Sequence, residues 1–352
     1  MEILEHWEPE NTTIPTDQTL YQGLCIFDYH NDYAKALNYR QHEVPFIVIN
    51  DPQVHDTVQR WNEPGYMDRM LGDVHSYRVE HSATSKFMYW NLNNPVINEK
   101  WTAEGQRRRT KKSSSSMSSS RRRSDNDDEY EYEDWEPPTT VTTMTYRDWK
   151  GTTDAATGIL GSKDPHYYFR VDADMEGIES QFLFEELPFF ASTATMKNDD
   201  DNDKEKEKDK NTNKNLYIVD AEEQRGIHCR FGQEGTIASN HFDGSRNFIS
   251  VLGGGQRRYI LSHPDQCSFL NLHPYGHPSE RHSMMDWTTP NLTHYPEFAF
   301  AEGNEVVLQP GEMLYLPTNW FHYIISLTAN YQCNTRSGRT ETFDEPLYHC
   351  GF

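Results

Sequence analysis

The sequence has no surplus of basic residues: 33 Lys and Arg face 55 Asp and Glu, a formal net charge of −22. Direct nucleic-acid binding is therefore not expected, since neutralising a phosphate backbone takes an excess of Lys and Arg. No CxxC pair is present. The five cysteines, Cys25, Cys229, Cys267, Cys333 and Cys350, are scattered, so neither a zinc knuckle nor a disulfide framework is supported. Their odd number favours a reducing compartment. No apolar run approaches the ~18 residues of a membrane span. The N-terminus, MEILEHWEPENTT, has no basic stretch leading into an apolar one, so neither a membrane segment nor a signal peptide is expected. GxGxxG, GxxxxGK[ST] and GxSxG are all missing, which leaves dinucleotide, P-loop and serine-hydrolase readings without support. An intracellular protein, cytoplasmic or nuclear, is the expectation.

Hydrophobic residues are scarce at 35%, yet aromatic residues reach 13%. A wholly disordered chain would not carry 8 Trp, 20 Tyr and 17 Phe. The combination predicts a folded core diluted by polar insertions. Two segments fit that role. Residues 104–136 run from RRRTKK through a serine tract and RRR into DNDDEYEYEDWE, and residues 197–215 read KNDDDNDKEKEKDKNTNKN. Charges nearly cancel within each, so the acidity belongs to the rest of the chain. The basic blocks at 107–123 resemble a weak two-part nuclear import signal.

Residues 1–103 predict a mixed α+β region. VPFIVIN (44–50) reads as a buried strand, DPQVHDTVQRWN has helical spacing at Val54, Val58 and Trp61, and FMYWNL (87–92) is strand-like. HYYFRV (166–171) is a further strand. From residue 216 onward short strands follow in close order: NLYIVD, GIHCRF, NFISVL, RRYILS, EVVLQ, MLYLP, HYIISL and YQCNTR, punctuated by Gly, Pro and Asn. Many short strands with such turns predict a mainly β sandwich or barrel. The domain plan is thus an N-terminal α+β region (1–103) packing on the barrel, a charged insertion (104–136), a barrel (137–338, interrupted at 197–215) and a tail (339–352).

The sharpest motif is Asn240-His241-Phe242-Asp243, joined to a distant His322 in Asn319-Trp320-Phe321-His322. Alternate residues of a strand share a face, so His241 and Asp243 can bind one ion. Two imidazoles and one carboxylate leave open positions on an octahedral Fe(II), where a bidentate cosubstrate and oxygen can bind. The separation of 81 residues (322 − 241) allows several strands between the ligands. HxD alone is unspecific in a chain with 16 His, but the run Gln309-Pro310-Gly311-Glu312-Met313-Leu314-Tyr315-Leu316-Pro317 leads directly to Trp320 and His322.

HFDGSRNF, RRYILSHPDQ and GEMLYLPTNWFHYIISL, in that order, resemble the JmjC-type, cupin-like Fe(II)- and 2-oxoglutarate-dependent oxygenases, nearest to the protein-hydroxylase group. The resemblance covers residues 216–338 well and 137–190 loosely. It implies a double-stranded β-helix, or jelly-roll, barrel, with His241, Asp243 and His322 as iron ligands and 2-oxoglutarate as cosubstrate. The family usually holds the far carboxylate of 2-oxoglutarate with a Lys on the strand after the HxD hairpin. Here counting forward reaches Gln256, and counting back from Pro264-Asp265-Gln266 reaches Arg257. Arg257 is preferred, because its fork can grip a carboxylate bidentately; Arg336 on the last strand is a second candidate. Asn247, Asn334 and Tyr168 match further cosubstrate positions. A Thr common three residues before the first His is Ala238 here, with Thr236 two residues earlier.

The reaction implied is hydroxylation or demethylation at a C–H bond of a protein, peptide or small molecule. With no histone-reading zinc finger in the sequence, a protein or peptide side chain is preferred. The Lys and Thr departures keep a second reading open, a non-catalytic JmjC-like metal-binding or interaction module. The His-rich stretch 273–287 is expected as a loop at the mouth of the site. Only 14 residues follow Gly338 (352 − 338), too few for paired C-terminal helices, and a monomer is expected.

Overall fold

All but one of the short strands expected late in the chain form, and they divide between two facing sheets. The computed structural model describes residues 8–12, 19–72, 74–91, 138–155, 165–175, 180–191, 215–275 and 277–352. The import-like blocks at 107–123 and nearly all of both charged insertions lie outside the described residues. The strands of the first part are β1 (Glu8–Thr12), β2 (Thr19–Gln22), β3 (Cys25–Asp28), β4 (Phe46–Ile49), β5 (Ser76–Ser82), β6 (Lys86–Phe87), β7 (Thr140–Thr145) and β8 (His166–Ala173). The barrel strands are β9 (Gln224–Gly232), β10 (Ile237–Phe242), β11 (Asn247–Gly254), β12 (Arg257–Ser262), β13 (Glu302–Leu308), β14 (Met313–Leu316), β15 (Phe321–Ser326) and β16 (Asn330–Ser337).

One sheet contains the order β13-β12-β15-β10 and the other β14-β11-β16-β9, with every neighbour in these quartets antiparallel. This is the double-stranded β-helix that the sequence predicts. The N-terminal region does more than pack on it. β2 and β6 extend the first sheet, while β3, β4 and β5 extend the second, so early strands are hydrogen-bonded into both layers. The added strands cover the quartets' own edges, β13, β10, β14 and β9, which would otherwise invite aggregation.

Three apolar clusters follow from the alternation of inward and outward residues. Between the sheets lie Ile249, Val251, Tyr259, Leu261, Leu314 and Ile324. The outer face of the larger sheet is covered by helices α1 (Tyr33–Gln41), α2 (Pro52–Trp61), α3 (Tyr66–Leu71) and α4 (Tyr146–Ala155), with Trp61, Trp149, Phe169 and Phe231 packed together. The other sheet's outer face is covered by the segment 264–301, through Leu270, Trp287 and Phe298. Helix α2 starts where Asp51 accepts from the backbone N–H groups of Gln53 (2.8 Å) and Val54 (3.4 Å), with Pro52 at its first position. Two short helices, α5 (Phe182–Glu186) and α6 (Asp344–His349), complete the set of α-helices among the described residues.

Three expectations need correction. NLYIVD is not a strand: residues 215–220 form turns, although Leu216, Tyr217 and Ile218 are buried. Arg40 donates to the carbonyl oxygens of Asn215 (2.9 Å) and Leu216 (2.6 Å), supplying the partners that a strand neighbour would have given. FMYWNL is strand only at Phe87; beyond it the chain leaves the sheet, and Trp90 donates its indole N–H to the Thr139 carbonyl (2.9 Å). The cysteines also pair after all. Cys229 and Cys333 bridge β9 and β16, and Cys267 and Cys350 tie the C-terminal segment to the turn after β12, leaving Cys25 as a buried thiol. Partners 104 and 83 residues apart leave no local spacing to read.

Gly226 sits in β9 at φ +89°, and a Cβ there would lie 2.0 Å from the Ala173 carbonyl oxygen. Gly226→Ala is expected to destabilise the protein by about 2 kcal/mol, seen as a lower midpoint in urea unfolding; an unchanged midpoint would contradict this placement.

Candidate metal centre

The site depends on a register detail between β10 and β15. Ala238 is opposite Ile324 and His241 is opposite His322, so three steps on β10 match two on β15. That is a bulge, one extra residue on β10. Strict alternation from Ala238, which faces the barrel core, would turn His241 outward. The extra residue reverses the phase: Phe242 joins the outer cluster, and His241 faces inward across from His322. Asp243 follows just past the end of the strand.

The ligand atoms of His241, Asp243 and His322 all lie within 4.8 Å of one another, and this is the single such group found among the described residues. The two imidazole rings are 4.1 Å apart. His241 Nδ1 is 2.8 Å from the Ser239 carbonyl oxygen, and His322 Nδ1 is 3.1 Å from that of Trp320. Donation from each Nδ1 fixes the tautomer and leaves both Nε2 atoms as free donors to a metal. The loops bearing Asp243 and His322 are joined directly: Asn319, in the left-handed region at φ 65°, donates its backbone N–H to the Asp243 carbonyl (2.8 Å).

Electrostatics keep the three groups in ligating form. Burial lowers the pKa of His241, and neighbouring His322 and His282 lower it further. Burial likewise lowers that of His322, against the pull of Asp243. Burial opposes ionisation of Asp243, but Arg336, at 2.6 Å, outweighs it with help from the histidines and Arg281, and the carboxyl stays well below the usual carboxylate range. Two neutral imidazoles and a carboxylate suit a divalent metal of intermediate hardness.

A cavity of about 370 Å³ opens over the triad. Of the other residues expected here, Tyr168, Asn247, Asn334 and Arg336 line it, and Arg257 does not. Arg257 is fully buried just behind the wall. Its Nε donates to Asn330 Oδ1, one Nη to the Tyr168 hydroxyl (3.0 Å) and Gln332 Oε1 (2.5 Å), and the other to the Arg230 carbonyl (3.2 Å). Four of five N–H donors are thus committed, so the bidentate grip expected from the sequence is not available to this side chain. From Gln332 the chain of amides continues through Asn334 to Asn247, at 3.3 and 2.9 Å. No carboxylate pairs with Arg257 among the described residues.

Sequence reasoning missed several lining residues. Arg281 and His282 come from the His-rich stretch, whose expected place at the mouth is where the structure puts it. His282 stacks on His241 at 4.8 Å, but its Nε2 receives the Tyr89 backbone N–H (3.3 Å), so it stands outside the ligand group. Nothing in its spacing set it apart from other His. Arg170, Arg225 and Arg230 also line the cavity; a strand read with period 2 puts the last two, five residues apart, on opposite faces, and only the bulge brings them to one.

Comparison with known proteins places this geometry. The family model described as "Cupin-like domain" matches residues 34–336. The chain is 30% identical over 112 residues to Lysine-specific demethylase 8 of Xenopus tropicalis, covering 32% of this chain and 25% of that protein. It is 33% identical over 115 residues to Lysine-specific demethylase JMJ30 of Arabidopsis thaliana (32% and 26%). It is 30% identical over 118 residues to tRNA wybutosine-synthesizing protein 5 of Danio rerio (33% and 34%). The matched segment spans a quarter to a third of the length of these relatives.

Two outcomes follow. Asn319→Val places a β-branched residue at positive φ and is expected to weaken Mn(II) binding about tenfold, whereas Asn319→Gly retains it; equal affinities, measured by electron paramagnetic resonance, would refute the loop coupling. In the mouth loop, burial lowers His273 to about 4 and His277 to about 3, from an ordinary 6.5. Both are neutral in the fold and take up a proton more readily when unfolded. Their contribution to stability is therefore full above pH 6.5 and lost as pH falls toward 4. The melting temperature should fall through that window, and fall less steeply in His273→Gln.

Proposed function

The chain belongs to the cupin-like domain family, and from that premise we propose that it is an Fe(II)- and 2-oxoglutarate-dependent oxygenase that hydroxylates a C–H bond of a protein or peptide side chain. The observation that carries this reading is the convergence of His241, Asp243 and His322, whose ligand atoms lie within 4.8 Å of one another, with both Nδ1 atoms engaged by backbone carbonyls. His241, Asp243 and His322 would hold iron. The fit of 2-oxoglutarate rests on Tyr168, Asn247 and Asn334, which line the cavity, backed by the buried Arg257 guanidinium, which has no carboxylate partner among the described residues. A buried charge with no counter-ion is costly, and an anionic ligand relieves that cost.

When bound, the iron and cosubstrate supply the oxidising chemistry: one atom of O2 goes to succinate as 2-oxoglutarate loses carbon dioxide, and the other to the substrate carbon. The protein's own part is binding, orientation and exclusion of water. Tyr168 accepts a hydrogen bond from Arg257 and keeps its own O–H to donate to the far carboxylate. Arg336 keeps the Asp243 carboxylate ionised and oriented. Ala238, Ile249 and Ile324 give the cavity an apolar floor that keeps water from the reacting centre. Four groups act through Arg257 rather than a single Lys, a different solution to holding one carboxylate. The committed donors of Arg257, with Ala238 in place of the usual Thr, favour the competing non-catalytic module.

The test is succinate formation from 2-oxoglutarate by the Fe(II)-loaded protein, run beside Asp243→Ala. Turnover in the absence of substrate, abolished in the variant, is expected. Metal binding without 2-oxoglutarate binding by calorimetry would replace this reading with the non-catalytic one.

A further inference from the structure

The chain as a whole is strongly acidic, but its cavity is not. Five arginines line it, Arg170, Arg225, Arg230, Arg281 and Arg336, against two carboxylates, Glu80 and Asp243. Two of the five are already compensated in the wall. Arg170 pairs with Glu80 (2.6 Å) and Asp172 (3.2 Å), and Arg230 pairs with Asp172 (2.5 Å). The other three have one carboxylate between them. Arg336 and Arg281 share Asp243, at 2.6 and 3.9 Å, and Arg225 has no anionic partner among the described residues.

Their placement is built into the backbone. Between β9 and β16, Ile227 is opposite Thr335 and Gln224 is opposite Ser337. Arg225 and Gly226 therefore face the single residue Arg336, a bulge made possible by the left-handed conformation of Gly226. Both side chains line the cavity, Arg225 exposed and Arg336 half-buried. Like charges facing each other across a strand pair are destabilising. An anion lodged between them removes that penalty, and the planar forks suit a carboxylate or a phosphate. Arg281 reaches the same place from the mouth loop, itself at positive φ (70°).

We infer that the cavity mouth, through Arg225, Arg281 and Arg336, receives a compact anionic group, a carboxylate or a phosphate monoester, carried by the substrate next to the carbon that is oxidised. This names the substrate class of the proposed oxygenase and rests on that reading for its meaning, although the anion site can be measured without it. Long polyanions are disfavoured, because a chain of net charge −22 repels them. The small cavity and the focused positive field select a short, singly or doubly charged group instead.

The experiment is equilibrium dialysis of the full chain against labelled inorganic phosphate and, separately, acetyl-aspartate amide. It is run with the protein saturated with Mn(II) and 2-oxoglutarate, then with neither. Wild type is compared with Arg225→Gln, Arg225→Lys and Arg281→Gln. At least one probe should bind, the Gln variants should weaken it about tenfold or more, and Arg225→Lys should recover part of the loss. The preferred probe identifies which anion the site takes. Mn(II) affinity should be unchanged in Arg225→Gln, which separates this site from the metal centre. If Mn(II) and 2-oxoglutarate fail to bind while an Arg225-dependent anion still binds, the oxygenase reading falls and the anion site stands. Equal binding by wild type and the Gln variants, or no binding at millimolar anion, overturns the inference.

Discussion

Everything at the centre depends on one cross-strand pair, His241 opposite His322. Two imidazoles that face each other across antiparallel strands start close together, so a third donor at the strand end completes a metal-sized group without long side chains or mobile loops. The pair exists because β10 carries one extra residue. Without that bulge the same sequence would bury Phe242 in the barrel and turn His241 toward the covering loop. Local irregularity, rather than regular alternation, therefore makes the site. The bulge between β9 and β16 repeats the device when it aims Arg225 at the cavity.

Charge is arranged as deliberately as shape. Asp243 would be costly to bury alone, and Arg336 offsets that cost while holding its carboxylate in place. Arg257 is the converse, a buried cation satisfied by amide, hydroxyl and carbonyl oxygens with no carboxylate beside it. Its charge is passed along hydrogen bonds to Tyr168 and to the Gln332–Asn334–Asn247 chain, all on the cavity wall. The basic lining lies inside an acidic exterior, a contrast that favours a small anion over an extended one.

Much of this was legible in the residues. The turn residues and strand runs after 216 predict the barrel, and HxD with a distant His predicts the ligands. Tyr168, Asn247, Asn334 and Arg336 were also drawn to the right cavity. What was not legible has physical causes. A run of apolar residues reads as a strand whether or not a neighbour pairs with it, and at 215–220 the partner is the Arg40 side chain. Cysteines 104 and 83 residues apart meet only in the folded chain, one pair through sheet register and the other where the C-terminal segment docks. Arg257 was singled out for its fork, but its place behind the cavity wall was not legible, because Asn330 and Gln332, which consume its donors, lie on another strand. Arg225 was missed because only the bulge turns it inward.

The central claim is that the β10 bulge brings three side chains to one ion. Anomalous diffraction from a crystal of the protein soaked in Mn(II) tests it directly. One peak within bonding distance of His241 Nε2, His322 Nε2 and an Asp243 carboxylate oxygen is the expected result. A peak that leaves out any of the three, or one that joins His282 in place of His241, would contradict it.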